Sequence, residues 1–159
     1  MNLYRPDYGN KESVQTIVTR RHQIENASIA WTDGACEPNP GAGGWGVMIE
    51  GAEPIEAFGG EADTTNNRME LRAIVEAVQH SKRLKPLIVC TDSQLCVLCA
   101  VGRWKRKTNL DLWLALDRAV FGMGALVAFE WWRGHCGTPG NERADELAAI
   151  GREACMSIG

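Results

Sequence analysis

The chain has 159 residues, of which 45% are apolar and 23% charged, with a formal net charge of −3. This composition is typical of a globular protein with one core, and no apolar run approaches the roughly 20 residues that a membrane helix needs. The N-terminus mixes charged residues and proline from the start, which argues against a secretory signal and predicts a cytoplasmic protein. We expect the protein to be a monomer.

Residues 1–26 are polar and irregular, and we interpret them as a poorly ordered or loosely packed extension before a single domain over residues 27–159. Three strands, then alternating helices and strands, then a closing helix indicate an α/β protein with a mixed sheet. The Gly- and Pro-rich segment 34–44 is predicted to be a loop. The predicted strands span 28–33, 45–50, 54–60, 86–92 and 124–134. The predicted helices span 66–82, 93–101, 109–121 and 138–154.

Six cysteines are interpreted as reduced thiols, because a chain with this apolar fraction does not need disulfides to fold. Cys96 and Cys99 form an isolated CxxC motif, without the second pair of ligands that structural zinc usually requires. We therefore interpret Cys96 and Cys99 as residues that pack inside a helix, rather than as metal ligands or a redox-active pair.

Four carboxylates, Asp33, Glu70, Asp92 and Asp145, dominate the chemistry of the chain. Asp33 and Asp92 follow apolar strands, and Glu70 extends the apolar stripe of the first long helix. A carboxylate in such a place is costly to desolvate unless a cation or hydrogen bonds compensate it. If the two strands are parallel neighbours, about 4.8 Å apart, Asp33 and Asp92 lie side by side, and a divalent cation offsets their repulsion.

An all-oxygen set of ligands suits Mg²⁺ or Mn²⁺ rather than zinc. Two such ions about 3.5 to 4 Å apart can activate water on one side of a phosphorus atom and stabilise the leaving oxygen on the other. For each acid alone, a cap, turn or solvated position is the commoner explanation. The four together favour metal-dependent hydrolysis of a phosphate ester.

Residues 102–109, GRWKRKTN, contain four positive charges, one tryptophan and no acid. A run of this kind is either a solvated surface or a phosphate-binding patch, and the run alone does not decide between them.

Five motifs carry a resemblance to a known family. In chain order they are TDGACEPNPGAGGWGV, TTNNRMEL, CTDSQ, NLDLW and RGHCGTPGNERADELA, and together they resemble the type 1 ribonuclease H family. The resemblance implies an RNase H fold, a five-stranded mixed sheet with the first three strands antiparallel and helices on both faces. It also implies an endonuclease that cuts the RNA strand of RNA/DNA hybrids with two Mg²⁺ ions, or with Mn²⁺, and leaves 5′-phosphate and 3′-hydroxyl ends.

By position within these motifs, the resemblance implies a metal site of Asp33, Glu70, Asp92 and Asp145, and a role for His135 in proton transfer or product release. Thr65 and Asn109 match positions that grip a phosphate of the DNA strand, and several amides match positions that reach 2′-hydroxyl groups. Cap and turn roles are compatible with Asn39 and Asn66 as well. The full set of implied substrate contacts is Asn39, Thr65, Asn66, Asn67, Gln94, Trp104, Lys105, Arg106, Lys107 and Asn109.

Two departures from the family pattern affect substrate binding. The basic helix and loop of longer members are replaced by the short segment GRWKRKT, which predicts weaker and salt-sensitive hybrid binding. Asp63 stands where a basic residue often assists the phosphate pocket. Two alternative functions remain: a non-catalytic hybrid-binding module, usually marked by loss of an acid, and a related polynucleotidyl transferase acting on DNA, which TTNNRMEL and GHCGTPGNERADE disfavour.

Overall fold

A computed structural model describes residues 24–157 of the chain. The proposed extension over 1–26 therefore falls almost entirely outside the described residues, and its predicted loose packing stays a prediction. The strands are β1 (Ser28–Cys36), β2 (Gly41–Ile49), β3 (Ile55–Thr64), β4 (Leu87–Thr91) and β5 (Val127–Trp131). The helices are α1 (Asn66–His80), α2 (Gln94–Ala100), α3 (Leu110–Met123) and α4 (Pro139–Ser157).

The five strands form one mixed sheet in the order β3-β2-β1-β4-β5. The first three strands are joined by short connections and pair antiparallel, whereas helices connect β3, β4 and β5, so that β4 and β5 run parallel to β1. The central strand β1 therefore has an antiparallel neighbour on one side and a parallel neighbour on the other. The predicted mixed sheet with three antiparallel strands is confirmed.

Alternate residues of the strands bury opposite faces of the sheet, as the two-residue period of a strand requires. Ala30, Val89 and Phe129 lie in one apolar cluster with residues of α1, α2 and α3. On the opposite face, Trp31 and its neighbours pack in a second cluster that includes Ala144 of α4. Helices thus cover both faces, as predicted. Each helix within residues 24–157 falls short, in length or in apolar character, of what a bilayer span needs.

The predicted loop over 34–44 is wrong at both ends, because β1 continues to Cys36 and β2 begins at Gly41. Glycines that read as a turn instead form a strand against which α4 packs closely. A Cβ at Gly44 would lie 2.1 Å from the carbonyl oxygen of Ala148, and one at Gly46 would lie 2.3 Å from that of Ala144. Residues without side chains therefore let the backbone of α4, which carries Asp145, approach the sheet.

Candidate active site

Asp33 and Asp92 lie beside each other at the carboxyl ends of two parallel strands. Thr32 of β1 is paired with Thr91 of β4, so the two aspartates follow at the same level of the sheet. Asp33 is only 4% exposed. Carboxylate oxygens of Asp33, Glu70 and Asp92 all lie within 4.8 Å of one another. The predicted juxtaposition of these three acids is confirmed, although their roles stay predictions.

Glu70 reaches this cluster because the first turn of α1 touches the backbone of β1. A Cβ at Gly34 would lie 2.3 Å from the backbone nitrogen of Glu70 and 2.5 Å from the carbonyl carbon of Met69. Glycine is therefore required next to Asp33 for α1 to sit this close. The Oε2 atom of Glu70 is buried and has no hydrogen-bond partner within the part of the chain that the structure describes.

Asp145, on α4, lines the same open cavity of about 520 Å³ as the three clustered acids. It lies near enough to Asp33 to interact with it by hydrogen bonding and charge. Asn66, Asn67 and His135 also line this cavity. The structure thus brings all four predicted acids, the predicted histidine and two of the predicted amides to one place.

His135 lies in the loop between β5 and α4, with a left-handed φ of 57°. Its backbone N–H donates to the Oδ1 atom of Asn141 at 3.4 Å. Asn141 is only 2% exposed and also hydrogen-bonds the Asp92 side chain. This asparagine therefore joins the histidine loop to the acid cluster. We did not single it out in the sequence, where an asparagine in the first turn of a helix has no distinguishing feature.

The backbone around Asp92 is fixed by neighbouring groups. The indole N–H of Trp131 donates to the carbonyl oxygen of Asp92 at 3.1 Å, and the backbone N–H of Trp132 donates to that of Thr91 at 2.8 Å. A Cβ at Gly134 would lie 2.4 Å from Oδ2 of Asp92, so the histidine loop packs directly on this carboxylate.

Burial and mutual repulsion raise the pKa values of the clustered acids. Desolvation, followed by the charge of Asp92 and contacts with Asp145, raises the pKa of Asp33 to about 8. Desolvation and the charges of Asp33 and Asp92 also raise the pKa of Glu70 well above its usual range. Desolvation raises the pKa of Asp92 too, while Asn141 and a positive charge on His135 oppose the rise.

These features fit a divalent cation. The clustered acids offer hard carboxylate oxygens, one of these oxygens lacks a hydrogen-bond partner among residues 24–157, and the repulsion between the acids is the kind that a cation relieves. Asp33, Glu70, Asp92 and Asp145 could together hold Mg²⁺ or Mn²⁺.

In metal-free protein, the melting temperature is expected to fall as the pH rises from about 5 to about 8. Asp33 has a pKa of 3.8 in an unperturbed chain and about 8 in the folded protein, so the folded state binds more protons over this range and loses stability as they leave. Thermal melts in EDTA at successive pH values measure the slope, which Mg²⁺ is expected to flatten. The variant Asp33→Asn serves as the control, and a fall as steep as in the wild type would contradict the assignment to this cluster.

Three of the predicted amide contacts, Asn39, Asn66 and Asn67, lie around the N-terminus of α1. Asn39 is exposed, and its Oδ1 atom accepts a hydrogen bond from the backbone N–H of Asn66 at 3.2 Å. The side chain of Thr65 caps α1 by accepting from the backbone N–H of Arg68 at 3.2 Å. Cap roles are thus present at Asn39 and Thr65, whereas Asn66 is the first residue of α1 and not its N-cap. Gln94 is exposed at the start of α2.

The basic segment borders a second cavity, of about 260 Å³, with Lys105, Lys107 and Asn109 in its wall. Arg106 is engaged within the protein, because it pairs with Asp117 at 2.9 Å and stacks over the ring of Trp113. Lys105, Lys107 and Trp104 are exposed, the last by 52%. Three of the five predicted contacts of this segment therefore face solvent.

Cys96 and Cys99 are both buried in α2, in the main apolar cluster. Burial raises the pKa of Cys96 to about 12 and also raises that of Cys99. Raised thiol pKa values are typical of unreactive cysteines that pack in a core.

A family model described as RNase H matches residues 25–153. The ribonuclease H of Paracidovorax citrulli is 44% identical over 145 residues, covering 82% of this chain and 97% of that protein. The ribonuclease HI of Neisseria meningitidis serogroup B is 48% identical over 135 residues, covering 76% of this chain and 92% of that protein.

Solved structures are similar in fold. The N-terminal RNase H domain of Rv2228c from Mycobacterium tuberculosis superposes with a TM-score of 0.72, at 24% identity over 84% of this chain and 99% of that one. LC11-RNase H1, solved in complex with an RNA/DNA hybrid, superposes with a TM-score of 0.69, at 24% identity over 81% of this chain and 99% of that one.

Proposed function

This chain belongs to the RNase H family, as its motifs predicted, and on that premise we propose that it is an endonuclease that hydrolyses the RNA strand of RNA/DNA hybrids. The observation that carries the proposal is the cluster of buried Asp33 with half-buried Glu70 and Asp92, with Asp145 in the same cavity. The hybrid bound to the structural neighbour LC11-RNase H1 supports the substrate class.

We assign the four acids as ligands of two Mg²⁺ ions, with Mn²⁺ as a substitute. Asp33, Glu70 and Asp92, whose carboxylates cluster, would hold the ions together with Asp145 from the same cavity. When bound, the ions supply Lewis-acid activation of water and charge stabilisation at the leaving oxygen. Hydrolysis then adds water to phosphorus and breaks the bond to the 3′-oxygen, so the products carry 5′-phosphate and 3′-hydroxyl ends.

The remaining polar residues of the cavity bind the substrate and handle protons. His135, exposed and close to Asp92, can exchange a proton with the reacting groups or assist product release. Asn66 and Asn67 line the acid cavity, where their amides can donate to and accept from the 2′-hydroxyl groups that distinguish RNA from DNA. Asn39 and Gln94 are proposed to extend this contact.

Two other functions fit less well. A non-catalytic module that only binds hybrids would be expected to lack an acid, whereas all four are present and share one cavity. A transferase acting on DNA would not need amides beside the metal ligands to sense 2′-hydroxyl groups. We further propose that residues 27–159 are a single RNase H catalytic domain of a monomeric, cytoplasmic protein, with residues 1–26 as an N-terminal extension.

The purified protein with Mg²⁺ is expected to cut a labelled RNA strand within an RNA/DNA hybrid. Duplex DNA, duplex RNA and single-stranded RNA of the same sequence are the controls and are expected to stay largely intact, because each lacks one of the two strands that the site distinguishes. End-labelling of the products tests for 5′-phosphate and 3′-hydroxyl ends. Intact hybrid in the presence of Mg²⁺ and Mn²⁺ would refute the proposed activity.

A further inference from the structure

Arg68 contacts both of the side chains predicted to grip a backbone phosphate. Its backbone N–H donates to Oγ1 of Thr65 at 3.2 Å, and its Nη1 atom donates to Oδ1 of Asn109 at 3.4 Å. Thr65 precedes α1 and Asn109 precedes α3, so one residue connects two helix starts that are far apart in sequence.

These hydrogen bonds determine which atoms of the pair remain available. A guanidinium group has only donors, so the amide atom that faces it must be the oxygen of Asn109, and the two N–H groups of Nδ2 are left to face outward. Thr65 likewise accepts through its oxygen and retains its hydroxyl proton. Asn109 therefore offers its two N–H donors to a ligand and Thr65 offers its O–H donor, and phosphate oxygens accept from such groups.

Arg68 is held in place by two acids on different elements. It forms a two-pronged pair with Asp111 of α3, at 3.0 and 2.7 Å, and bonds Glu61 of β3 at 3.2 Å. These acids balance its positive charge, and its side chain is only 26% exposed. Arg68 is thus poorly placed to attract phosphate by charge. A lysine would carry the same charge but could not form the two parallel bonds that the planar guanidinium group makes with Asp111.

The backbone at Asn109 supports the same orientation. Asn109 stands at the N-cap of α3 with a left-handed φ of 56° and makes no side-chain cap bond. Its side chain is therefore not used to cap its own helix, as asparagine at this position usually is. Instead of capping α3, the side chain of Asn109 accepts a hydrogen bond from Arg68.

We infer that the side chain of Arg68 is a positioning group that turns the Nδ2 donors of Asn109 toward a phosphate of the hybrid backbone, beside the hydroxyl donor of Thr65. This inference rests on the proposed function, since it assumes that a hybrid is the ligand. It assigns a binding role to a residue that does not itself touch the substrate.

The test is a double-mutant cycle on hybrid binding, measured by fluorescence anisotropy in EDTA, where metal-dependent cleavage cannot occur. Arg68→Gln and Asn109→Ala are each expected to weaken binding about tenfold, as expected for one hydrogen bond to a charged group. The double variant is expected to be no weaker than Asn109→Ala alone, because Arg68 acts through Asn109. Additive losses, about 100-fold in the double variant, would overturn the inference.

Two further variants test whether hybrid binding depends on the geometry of the Arg68 side chain rather than on its charge or on a general loss of stability. Arg68→Lys keeps the charge and a single bond to Asp111 but loses the fork, so it is expected to bind as weakly as Arg68→Gln; wild-type affinity would overturn the inference. Arg72→Gln removes another arginine of α1, one that pairs with Glu61 and Glu76 and contacts neither donor, and it is expected to bind like the wild type. A weakening equal to that of Arg68→Gln would contradict the assignment.

Failure of the inference is distinguishable from failure of the proposed function. If the wild type cuts the hybrid but the Arg68 and Asn109 variants bind normally, only the inference is wrong. If the wild type neither cuts nor binds the hybrid, both are wrong.

Discussion

Replacing Asp33 with asparagine is expected to abolish hybrid cleavage and yet raise the stability of the metal-free protein. Metal ions at such sites provide several kcal/mol of transition-state stabilisation, and each 1.4 kcal/mol is a factor of ten, so the loss should be about 10³-fold or more. The gain in stability follows from the raised pKa of Asp33, because a buried neutral amide removes both the desolvation cost and the repulsion by Asp92.

Single-turnover cleavage and thermal melts in EDTA at pH 8 measure the two effects. A gain of about 1 kcal/mol or more would raise the melting temperature by roughly 2 to 4 °C for a domain of this size. Asp92→Asn is expected to behave in the same way. Glu53→Gln, at an exposed position between β2 and β3, is the matched control and should change neither quantity. A less stable metal-free Asp33→Asn protein would contradict the claim that these acids repel one another.

Replacing Gly34 with alanine is expected to destabilise the fold and to disable the site at the same time. The new Cβ would lie 2.3 Å from the backbone nitrogen of Glu70, far inside the usual contact distance, and backbone rather than a flexible side chain would have to move. Overpacking of this kind typically costs about 1 to 3 kcal/mol. Any displacement of α1 also moves Glu70 away from Asp33.

Gly122→Ala supplies the matched control, because Gly122 lies in α3 and a Cβ there would meet nothing within 4 Å. It is expected to leave cleavage unchanged and to stabilise the protein slightly, by about 0.5 to 1 kcal/mol, since alanine favours a helix more than glycine does. Melting temperatures, with cleavage measured well below them, compare the two variants. Wild-type stability and cleavage in Gly34→Ala would show that the close approach of α1 is not required.

The sequence predicted the parts of the site that depend on strand order and motif position. Asp33 and Asp92 were expected side by side because each ends an apolar run, and Glu70 was expected to face the core because it continues the apolar stripe of its helix. The structure places Asp33, Asp92 and Glu70 together, as both patterns predicted. The five motifs identified the family. The family resemblance then predicted that Asp145 and His135 lie beside the other three acids.

Features that depend on contacts between distant segments could not be predicted in this way. Glycines 41, 43 and 44 were predicted to lie in a loop, whereas pairing with β1 and β3, and close contact of Gly44 with α4, places them in a strand. The roles of Asn141 and Arg68 likewise depend on partners 49 and 43 residues away, Asp92 and Asp111. A single sequence gives no signal for such pairs, because neither residue type nor spacing distinguishes them from ordinary helix residues.

The position of β1 between an antiparallel and a parallel neighbour bears on how a polymer can reach the acids. After β1 the chain turns back into β2 on one side, whereas after β4 it leaves through helices toward β5 on the other side. Connections that depart in opposite directions leave a crevice at the carboxyl ends of these strands, where ligands commonly bind in open sheets. An internal phosphodiester has no free end to thread into a closed chamber. An open cleft therefore suits the proposed endonuclease, because the middle of a long nucleic acid can enter such a cleft without passing a terminus through it.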